Sequence, residues 1–388
     1  MRGLIYMFLI ISQISNAQEN RVRARDIGIE VGFMKTGILN AITDVQGVKV
    51  GHKTLIKGDN VRTGVTAILP HDGNIYQQKV PAAIYCFNAY GKLAGYTQVE
   101  ELGNIETPIV LTNTLSVGTA VTALVRYTLQ LEVNESVRSV NAVVGETNDG
   151  YLNDIRGLHV SEKDVVDAII KAKSGRVEEG TVGAGTGTRA FGYKGGIGTA
   201  SRITPKIGGK NYTVGILVQS NFGWMLNING VPFTREMNQS EIKDNERKED
   251  GSCMIVIATD APVSTQNLKR MAKRAFTGMG RTTYVMSNGS GDYAIAFSTA
   301  YRIPNHNSDQ HVAMPALIEN DSMTIIFQAI EEATQEAIYN SLFMATTVTG
   351  NKGRTVEAIP IKDVVRIINK YNMRNLQEKL PWTPFKYD

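Results

Sequence analysis

The sequence predicts an α+β protein in which helices cover the outer faces of layered β-sheets. Three observations predict this class. Strand-like and helical segments follow one another in mixed order, several neighbouring strand-like runs are spaced like hairpins, and no internal repeat or low-complexity segment is visible. A doubly wound parallel sheet would require strands and helices that alternate regularly. The layered α+β sandwich is therefore the better prediction.

The first two thirds of the chain predict most of the strands. Apolar runs rich in β-branched residues and bounded by turn residues lie at Gly47–His52, Gly64–Leu69, Ala82–Cys86, Ile109–Thr112, Val140–Val144 and Thr213–Val218. Helical periodicity runs from Thr119 to Leu131, and a second helix begins after Ser161, which with Asp164 forms a capping pair. A densely charged run from Glu236 to Asp250 predicts a solvated loop.

The last third of the chain predicts a mixed order of strands and helices. The predicted elements are a strand at Met254–Ala258, a helix at Ser264–Phe276, strands at Thr283–Met286 and Tyr293–Ser298, a long helix at Met323–Phe343 and a final helix from about Lys362. Asn288–Asp292 lies between two of these strands and has the composition of a hairpin turn.

The amino terminus has the features of a signal peptide. A short positive start is followed by an apolar run from Leu4 to Ile14 and by small residues up to Ala17. The apolar run is shorter than the roughly 20 residues that span a bilayer. We therefore expect removal of residues 1–17, a secreted or periplasmic protein that does not stay in the membrane, and a single catalytic domain from residue 18 to residue 388.

Composition excludes some partners. The formal net charge of +4 is spread thinly over 388 residues, with no basic block and no interleaved aromatic stripe, so a nucleic-acid surface is not indicated. The two cysteines, Cys86 and Cys253, lie in apolar runs, and we expect buried free thiols. His306, Asp309 and His311 are metal ligands by type, but their spacing matches no metal motif, and we predict neither metal nor cofactor.

The dipeptide Gly251-Ser252 joins the charged run to a core strand and carries the strongest functional signal. If this bond is cut, Ser252 becomes an amino terminus that holds a hydroxyl group and an α-amine. The unperturbed pKa of an α-amine is about 7.7–8.0, so part of it is unprotonated near neutral pH and can accept the hydroxyl proton. A loop entering a strand has the same local pattern, so the motif needs independent support.

Three further segments offer polar groups near predicted strand ends, and a fourth is rich in glycine. Asn221 follows a strand and could donate its side-chain N–H to an oxyanion. Ser290 and Asp292 could form a hydrogen-bonded pair, although the local pattern favours a plain hairpin turn. Glu146 begins an acidic stretch that could bind a substrate ammonium group. The glycine-rich run Gly183–Gly187 lacks a phosphate-loop ending, so close backbone packing is the preferred interpretation.

Together these residues resemble one family, the L-aminopeptidase/D-amidase-D-esterase family that includes the β-peptidyl aminopeptidases. The matching stretches appear in one order over nearly the whole mature chain: 40–54, 107–114, 146–151, 182–187, 194–202, Gly251-Ser252 with 256–262, and 288–292. The resemblance implies a self-cleaved precursor with an α chain, 18–251, and a β chain, 252–388. It also implies an αββα sandwich similar to that of ornithine acetyltransferase, and a homo-oligomer of α/β heterodimers.

The resemblance also implies an activity and a set of roles. Family members remove an N-terminal residue from short peptides, amides or esters without a metal. Ser252 is the implied nucleophile, Ser290 and Asp292 assist it, Asn221 contributes to the oxyanion site, and Tyr151 lies against the tetrahedral intermediate. Glu146 is the candidate for the substrate ammonium. Lys92 stands where some relatives carry an acid, which leaves the preferred side chain open.

Two rival functions remain open from the sequence. An acyltransferase like ornithine acetyltransferase would use a similar fold and cleavage point, but its nucleophile is normally threonine and it works in the cytoplasm. An exported solute-binding protein would stay in one piece and turn nothing over.

Overall fold

The computed structural model describes residues 21–237, 251–306 and 311–381. The predicted signal peptide, residues 238–250 of the charged run and Asp309 lie outside the described residues. The first residues of that run, Glu236 and Met237, belong to a short helix rather than to the predicted loop. Within the described ranges no helix is long and apolar enough to cross a membrane.

The described residues form fifteen strands and eight α-helices. The strands are β1 (Lys49–Lys57), β2 (Val61–Leu69), β3 (Gln78–Ala89), β4 (Asn104–Ile105), β5 (Ile109–Asn113), β6 (Val143–Thr147), β7 (Arg189–Ala190), β8 (Tyr193–Lys194), β9 (Gly196–Ile203), β10 (Thr213–Asn221), β11 (Ser252–Thr259), β12 (Gly291–Ser298), β13 (Ile303–Pro304), β14 (Val348–Thr349) and β15 (Thr355–Val356). The helices are α1 (Tyr96–Leu102), α2 (Val117–Leu129), α3 (Glu162–Ile170), α4 (Phe233–Met237), α5 (Thr265–Gly280), α6 (Met323–Phe343), α7 (Ile361–Lys370) and α8 (Leu376–Lys379).

Two mixed sheets organise the molecule. The smaller has the order β1-β2-β5-β6, and the larger has the order β13-β3-β12-β11-β10-β9 with β4 paired to β3. In the larger sheet β11 and β12 run parallel, whereas β10 and β3, on their two sides, run antiparallel to them. As a result, β10 and β3 end at the edge of the sheet where β11 and β12 begin.

Three apolar cores separate four layers. One core lies between the two sheets and contains Met254 and Val256 of β11. A second lies between the larger sheet and helices α5 and α6, and it contains Cys253 and Ile255 of the same strand. The third lies between the smaller sheet and helices α2 and α3. The αββα sandwich is therefore confirmed, and β11 is apolar throughout because it is buried on both faces.

Helix α6 lies very close to the larger sheet. A Cβ atom at Gly198 of β9 would lie 2.0 Å from the carbonyl oxygen of Ala337, so only glycine fits at this crossing. Buried charges secure the same contact, because Arg202 forms ion pairs with Glu332 at 3.0 Å and with Glu336 at 2.7 Å. Strand β9 was missed by the sequence analysis, since its glycines weaken a strand pattern.

One predicted strand is wrong. Residues Thr283–Met286 form an irregular segment between α5 and β12, and Thr283 and Met286 have left-handed φ angles of 77° and 53°. The turn at residues 288–289 therefore closes no hairpin, and β12 pairs with β11 and β3 instead. The segment contains β-branched residues but pairs with no strand of the described residues. It instead packs Tyr284 against Phe222, with ring centres 4.6 Å apart.

Candidate active site

Four strand ends meet at one end of the larger sheet. Asn221, the last residue of β10, is paired with Ser252, the first residue of β11, and Ser252 is paired with Gly291, the first residue of β12. Gly291 is in turn paired with Ala89 at the end of β3. The register therefore places the predicted cleavage point between an amide side chain and a glycine-rich turn.

A cavity of about 390 Å³ opens at this edge. Its wall includes Ser252, Asn221, Glu146, Tyr151, Arg189 and Arg354. Loops that follow β5 and β6 of the smaller sheet close it from the other side, because Thr114 and Asn148 also line it. The cavity thus lies where both sheets end, and five of the site residues predicted from sequence line it, since Gly251 also belongs to its wall.

The hydroxyl group of Ser252 faces this cavity although the residue is only 5% exposed. The side-chain N–H of Asn221 lies 3.4 Å from Ser252 Oγ. Asn221 is itself oriented from both sides, because Nδ2 also donates to the carbonyl of Asn148 at 3.1 Å and Oδ1 accepts from the backbone N–H of Arg189 at 3.1 Å. An amide held in this way keeps its N–H directed at the serine oxygen.

The peptide group before Ser252 is held tightly. The carbonyl oxygen of Gly251 accepts a hydrogen bond of 3.2 Å from the backbone N–H of Gly291. A Cβ atom at position 251 would lie 2.5 Å from the hydroxyl oxygen of Tyr284 and 3.0 Å from Cβ of Phe222. Lack of space, and not a left-handed backbone, explains the glycine at this position.

Ser290 lies behind the cleavage point and is fully buried. Its Oγ accepts a hydrogen bond of 2.6 Å from the hydroxyl group of Tyr284. Burial raises the pKa of Tyr284 to about 12, so this phenol remains a donor at neutral pH. Within the described ranges no hydrogen bond joins Ser252 to Ser290 or to Asp292. No role for Tyr284 is predicted from the sequence, because Tyr284 lies in the segment that was wrongly predicted as a strand.

Asp292 is fully buried on the far side of the sheet from the Ser252 hydroxyl. It is paired with Cys253, and strand alternation directs both side chains towards the helix-covered core. Among the described residues, neither carboxylate oxygen has a donor with good hydrogen-bond geometry. Burial raises the pKa of Asp292 to about 7, although the nearby Ser290 hydroxyl and Cys253 N–H favour the charged form. Asp292 therefore changes its charge near neutral pH.

Glu146 is the last residue but one of β6, lies on the β3 side of Ser252, and is 3% exposed. Its Oε1 accepts a hydrogen bond of 2.9 Å from the backbone N–H of Lys92, and its Oε2 accepts one from the hydroxyl group of Thr114. Burial raises the pKa of Glu146, and these two donors oppose that shift. The carboxylate is fixed in the cavity wall and retains acceptor capacity for a cationic group.

Tyr151 lies on the opposite side of Ser252, and two arginines lie over its ring. The guanidinium carbons of Arg189 and Arg354 are 4.1 Å and 4.8 Å from the ring centre. Sequence reasoning missed both arginines, because they are distant in the chain from the motifs and belong to short hairpins. No local sequence pattern indicates that these arginines belong to the site. Their position depends on how β7 and the β14–β15 hairpin pack against the rest of the molecule.

Other predicted groups lie elsewhere. Cys86 and Cys253 are free thiols as predicted, Cys253 buried and Cys86 half-buried. Within the parts of the chain that the structure describes, no group of three His, Cys, Asp or Glu side chains is arranged to hold a metal ion. The glycine-rich run packs closely as expected, and a Cβ atom at Gly187 would lie 2.1 Å from the carbonyl oxygen of Arg62. Lys92 is exposed at the cavity wall.

Comparisons with known proteins point to one family. The model of the family described as Peptidase family S58 matches residues 40–356. The chain is 42% identical over 375 residues to a β-peptidyl aminopeptidase of Sphingosinicella microcystinivorans, and the match covers 90% of this chain and 92% of that protein.

Two solved structures have similar folds. A protein from Pyrococcus horikoshii is 48% identical with a TM-score of 0.83, and the match covers 90% of this chain and 99% of that one. The L-aminopeptidase D-Ala-esterase/amidase of Ochrobactrum anthropi is 36% identical with a TM-score of 0.84, covering 91% and 99%. The latter is described as a prototype of the serine aminopeptidases and a variant of the N-terminal nucleophile hydrolase fold.

Proposed function

We propose that this chain, which belongs to peptidase family S58, is an aminopeptidase whose nucleophile is Ser252. It releases N-terminal residues from short peptides, amides or esters after cutting itself between Gly251 and Ser252. The similarity to a β-peptidyl aminopeptidase over 90% of the chain supports the substrate class. The observation that carries the proposal is the position of Ser252, at the first residue of a rigid strand, in a cavity wall, with the Asn221 N–H at 3.4 Å.

Self-cleavage begins with attack of Ser252 Oγ on the Gly251 carbonyl carbon, and the hydroxyl proton passes to the departing backbone nitrogen. The C–N bond breaks and leaves an ester, which water hydrolyses to a Gly251 carboxylate and a free Ser252 amine. The N–H of Gly291 already donates to the Gly251 carbonyl oxygen and would stabilise negative charge there. The continuous chain is thus arranged for this step without further movement of its donor.

The mature reaction repeats the same chemistry on a peptide. Ser252 Oγ attacks the scissile carbonyl carbon, and its proton passes to the Ser252 amine and then to the leaving amine. The oxyanion accepts hydrogen bonds from Asn221 and from backbone N–H groups at the strand ends, a contribution that can be worth about 10²–10³ in rate. Water then hydrolyses the acyl-enzyme. No metal ion is needed, because nucleophile and base belong to one residue.

Ser290 and Asp292 assist from behind the sheet in this proposal. Tyr284 donates to Ser290, and this leaves the Ser290 hydroxyl proton available for another acceptor. Asp292, with a pKa of about 7, can take up a proton near neutral pH. We assign the pair a role in relaying protons to and from the Ser252 amine once the Gly251–Ser252 bond is open.

Glu146 and Tyr151 position the substrate in this proposal. The substrate ammonium group pairs with Glu146, whose Oε1 is held in the wall by the Lys92 N–H at 2.9 Å. A cation beside Glu146 lowers its pKa and keeps it charged. Tyr151 lies against the tetrahedral intermediate on the other side. We further propose that the protein is exported and forms homo-oligomers, as the signal-like amino terminus and the family resemblance imply.

Trapping of the acyl-enzyme tests this function. Purified protein is first assayed against a panel of aminoacyl p-nitroanilides, with and without a chelator. An aminoacyl ester of the preferred residue is then mixed with enzyme and quenched in acid. We expect chelator-independent release of p-nitroaniline, and an added acyl mass on the fragment 252–388 that maps to Ser252.

Two outcomes would reject the proposal. Acylation at any residue other than Ser252, or activity that the chelator abolishes, would contradict the serine mechanism. Trapping of the acyl group by free amines far better than by water would favour the acyltransferase alternative over the hydrolase.

A further inference from the structure

We propose that Arg354 recognises the C-terminal carboxylate of the substrate, so that the preferred substrates are dipeptides with a free carboxylate. This inference rests on the proposed function and names its substrate class more closely. A cavity of about 390 Å³ suits a ligand of this size.

The charges of the cavity are separated on the two sides of Ser252. Across the sheet edge the order is β3, β12, β11 and β10. Glu146 lies on the β3 side, where it accepts the N–H of Lys92 three residues beyond the end of that strand. Arg189 lies on the β10 side, where its backbone N–H donates to Asn221. A substrate with its ammonium group at Glu146 and its carbonyl at Ser252 therefore directs its leaving group towards the arginines.

A dedicated hairpin brings Arg354 to the cavity. Strands β14 and β15 flank a tight turn at residues 350–354, in which the N–H of Gly350 donates to the Arg354 carbonyl at 2.9 Å. The turn docks on the loop after β6 through the Asn351 N–H, which donates to the Leu152 carbonyl at 2.7 Å. A Cβ atom at Gly350 would lie 2.1 Å from the Leu152 carbonyl oxygen, so the contact is close. The position of Arg354 is thus fixed by backbone packing.

The guanidinium group of Arg354 retains capacity for a ligand. Its Nη1 donates to the carbonyl of Tyr151 at 3.2 Å, and its guanidinium carbon lies over the Tyr151 ring, 4.8 Å from the ring centre. Within the described ranges no carboxylate lies within ion-pair distance of Arg354. The planar group carries five N–H donors and binds a carboxylate through two parallel hydrogen bonds. The contact with the Tyr151 ring holds the group in place, and the donors not used for the Tyr151 carbonyl remain for a carboxylate.

Arg189 lines the same cavity and contacts the same ring. Its guanidinium carbon lies 4.1 Å from the centre of the ring over which Arg354 lies. A cation in this wall favours an anionic group over a neutral amide. Beyond Tyr151 and Arg189 a second cavity of about 390 Å³ is lined by Phe191, Tyr193 and Trp224, and it offers room for the side chain of the leaving residue.

Three substrates with one N-terminal residue test the inference. They are a dipeptide ending in alanine, the same dipeptide with an amidated C-terminus, and the p-nitroanilide of the N-terminal residue. The shared N-terminal residue is the one that the enzyme releases fastest from a panel of p-nitroanilides. For the wild-type enzyme we expect kcat/KM to be about tenfold higher for the dipeptide acid than for its amide, because a charge-assisted pair is lost in the amide.

The variant Arg354→Gln should abolish that preference. We expect kcat/KM for the dipeptide acid to fall about tenfold, mainly through KM, while the amide and the nitroanilide change by less than about twofold. Arg354→Lys should give an intermediate preference, since a lysine keeps the charge without the planar fork. The matched control is Lys352→Gln, which removes an exposed charge from the same turn and should leave all three substrates unchanged.

The results separate this inference from the proposed function. Equal kcat/KM for acid and amide in the wild type, or an equal loss on all three substrates in Arg354→Gln, would overturn the carboxylate site while leaving the aminopeptidase intact. Failure of the wild-type enzyme to cleave any of the three would overturn the aminopeptidase assignment itself.

Discussion

The two faces of the larger sheet differ sharply at the start of β11. Ser252 faces the side of the smaller sheet, where its hydroxyl lines a cavity with charged walls. The next residue, Cys253, faces the helices, where it is fully buried with Asp292. Burial raises the pKa of Cys253 well above its usual value, so its thiol stays neutral and unreactive. One strand thus places a hydroxyl group in the cavity wall and buries a thiol away from the cavity.

The two faces of the sheet differ in polarity, and this difference changes the properties of the side chains on each face. The cavity face carries the Asn221 N–H, which is directed at the Ser252 hydroxyl oxygen, and the carboxylate of Glu146. The helix-covered face is dry, and its low polarity moves the pKa of Asp292 into the neutral range. The proposed nucleophile and the proposed proton relay therefore lie in different environments, although Ser252 and Asp292 are only one residue apart in the register of two adjacent strands.

The largest expected effect comes from replacing Ser252 by alanine, in comparison with the same replacement at its neighbour Cys253. We expect Ser252→Ala to give a single uncut chain with no measurable hydrolysis of a p-nitroanilide, because both processing and turnover need this hydroxyl group. Cys253→Ala should process fully and keep activity within about twofold, since its side chain does not reach the cavity. A denaturing gel and a nitroanilide assay check both. The comparison would be broken if Cys253→Ala were inactive while still folded and processed.

A smaller effect is expected from the donor on the cavity face. Asn221→Ala should lower kcat by about 10²–10³, the usual cost of one oxyanion donor, and should slow processing. The control is Asn211→Ala, which removes an asparagine that donates to the Thr204 carbonyl just before β10 begins. That variant should change kcat little. Equal kcat values for Asn221→Ala and the wild type, measured on fully processed protein, would exclude this role.

The smallest effect concerns stability on the helix-covered face. The folded-state pKa of Asp292, about 7, lies above the unfolded value of about 4, so the folded chain binds one more proton between these values. This contribution to stability is complete below about pH 4 and is lost as pH rises through about 7. In the uncut Ser252→Ala background, Asp292→Asn should therefore gain in Tm relative to its parent as pH rises, on the order of a few degrees.

Thermal unfolding from pH 4 to pH 8 checks this prediction. A Tm difference between Asp292→Asn and its parent that does not change with pH would mean that Asp292 keeps one charge state throughout. The low-polarity environment assigned to the helix-covered face would then be wrong.

Much of the fold was predictable because local pattern and tertiary position agree. Helix α6 has the predicted bounds, and the capping pair Ser161 and Asp164 begins α3 as expected. The pattern failed where packing overrides composition. Strand β9 contains glycines because α6 lies against it, and Thr283–Met286 is β-branched yet serves to place Tyr284. Composition alone does not report such tertiary contacts.

The candidate site was predictable to the same extent. Ser252, Asn221, Glu146 and Tyr151 carry motif signals and all line one cavity. Ser290 and Asp292 have the same kind of signal but lie behind the sheet. The face on which they lie depends on the strand register, and a sequence motif does not report that register. Arg189 and Arg354 have no signal, because hairpins far apart in the chain bring them together.

The most direct test of the account is the intact mass and N-terminal sequence of purified protein whose hydrolytic activity has been measured in the same sample. We expect two polypeptides, of which the second starts at Ser252 and ends at Asp388. Active protein in which Gly251 remains joined to Ser252, with no fragment starting at 252, would contradict it.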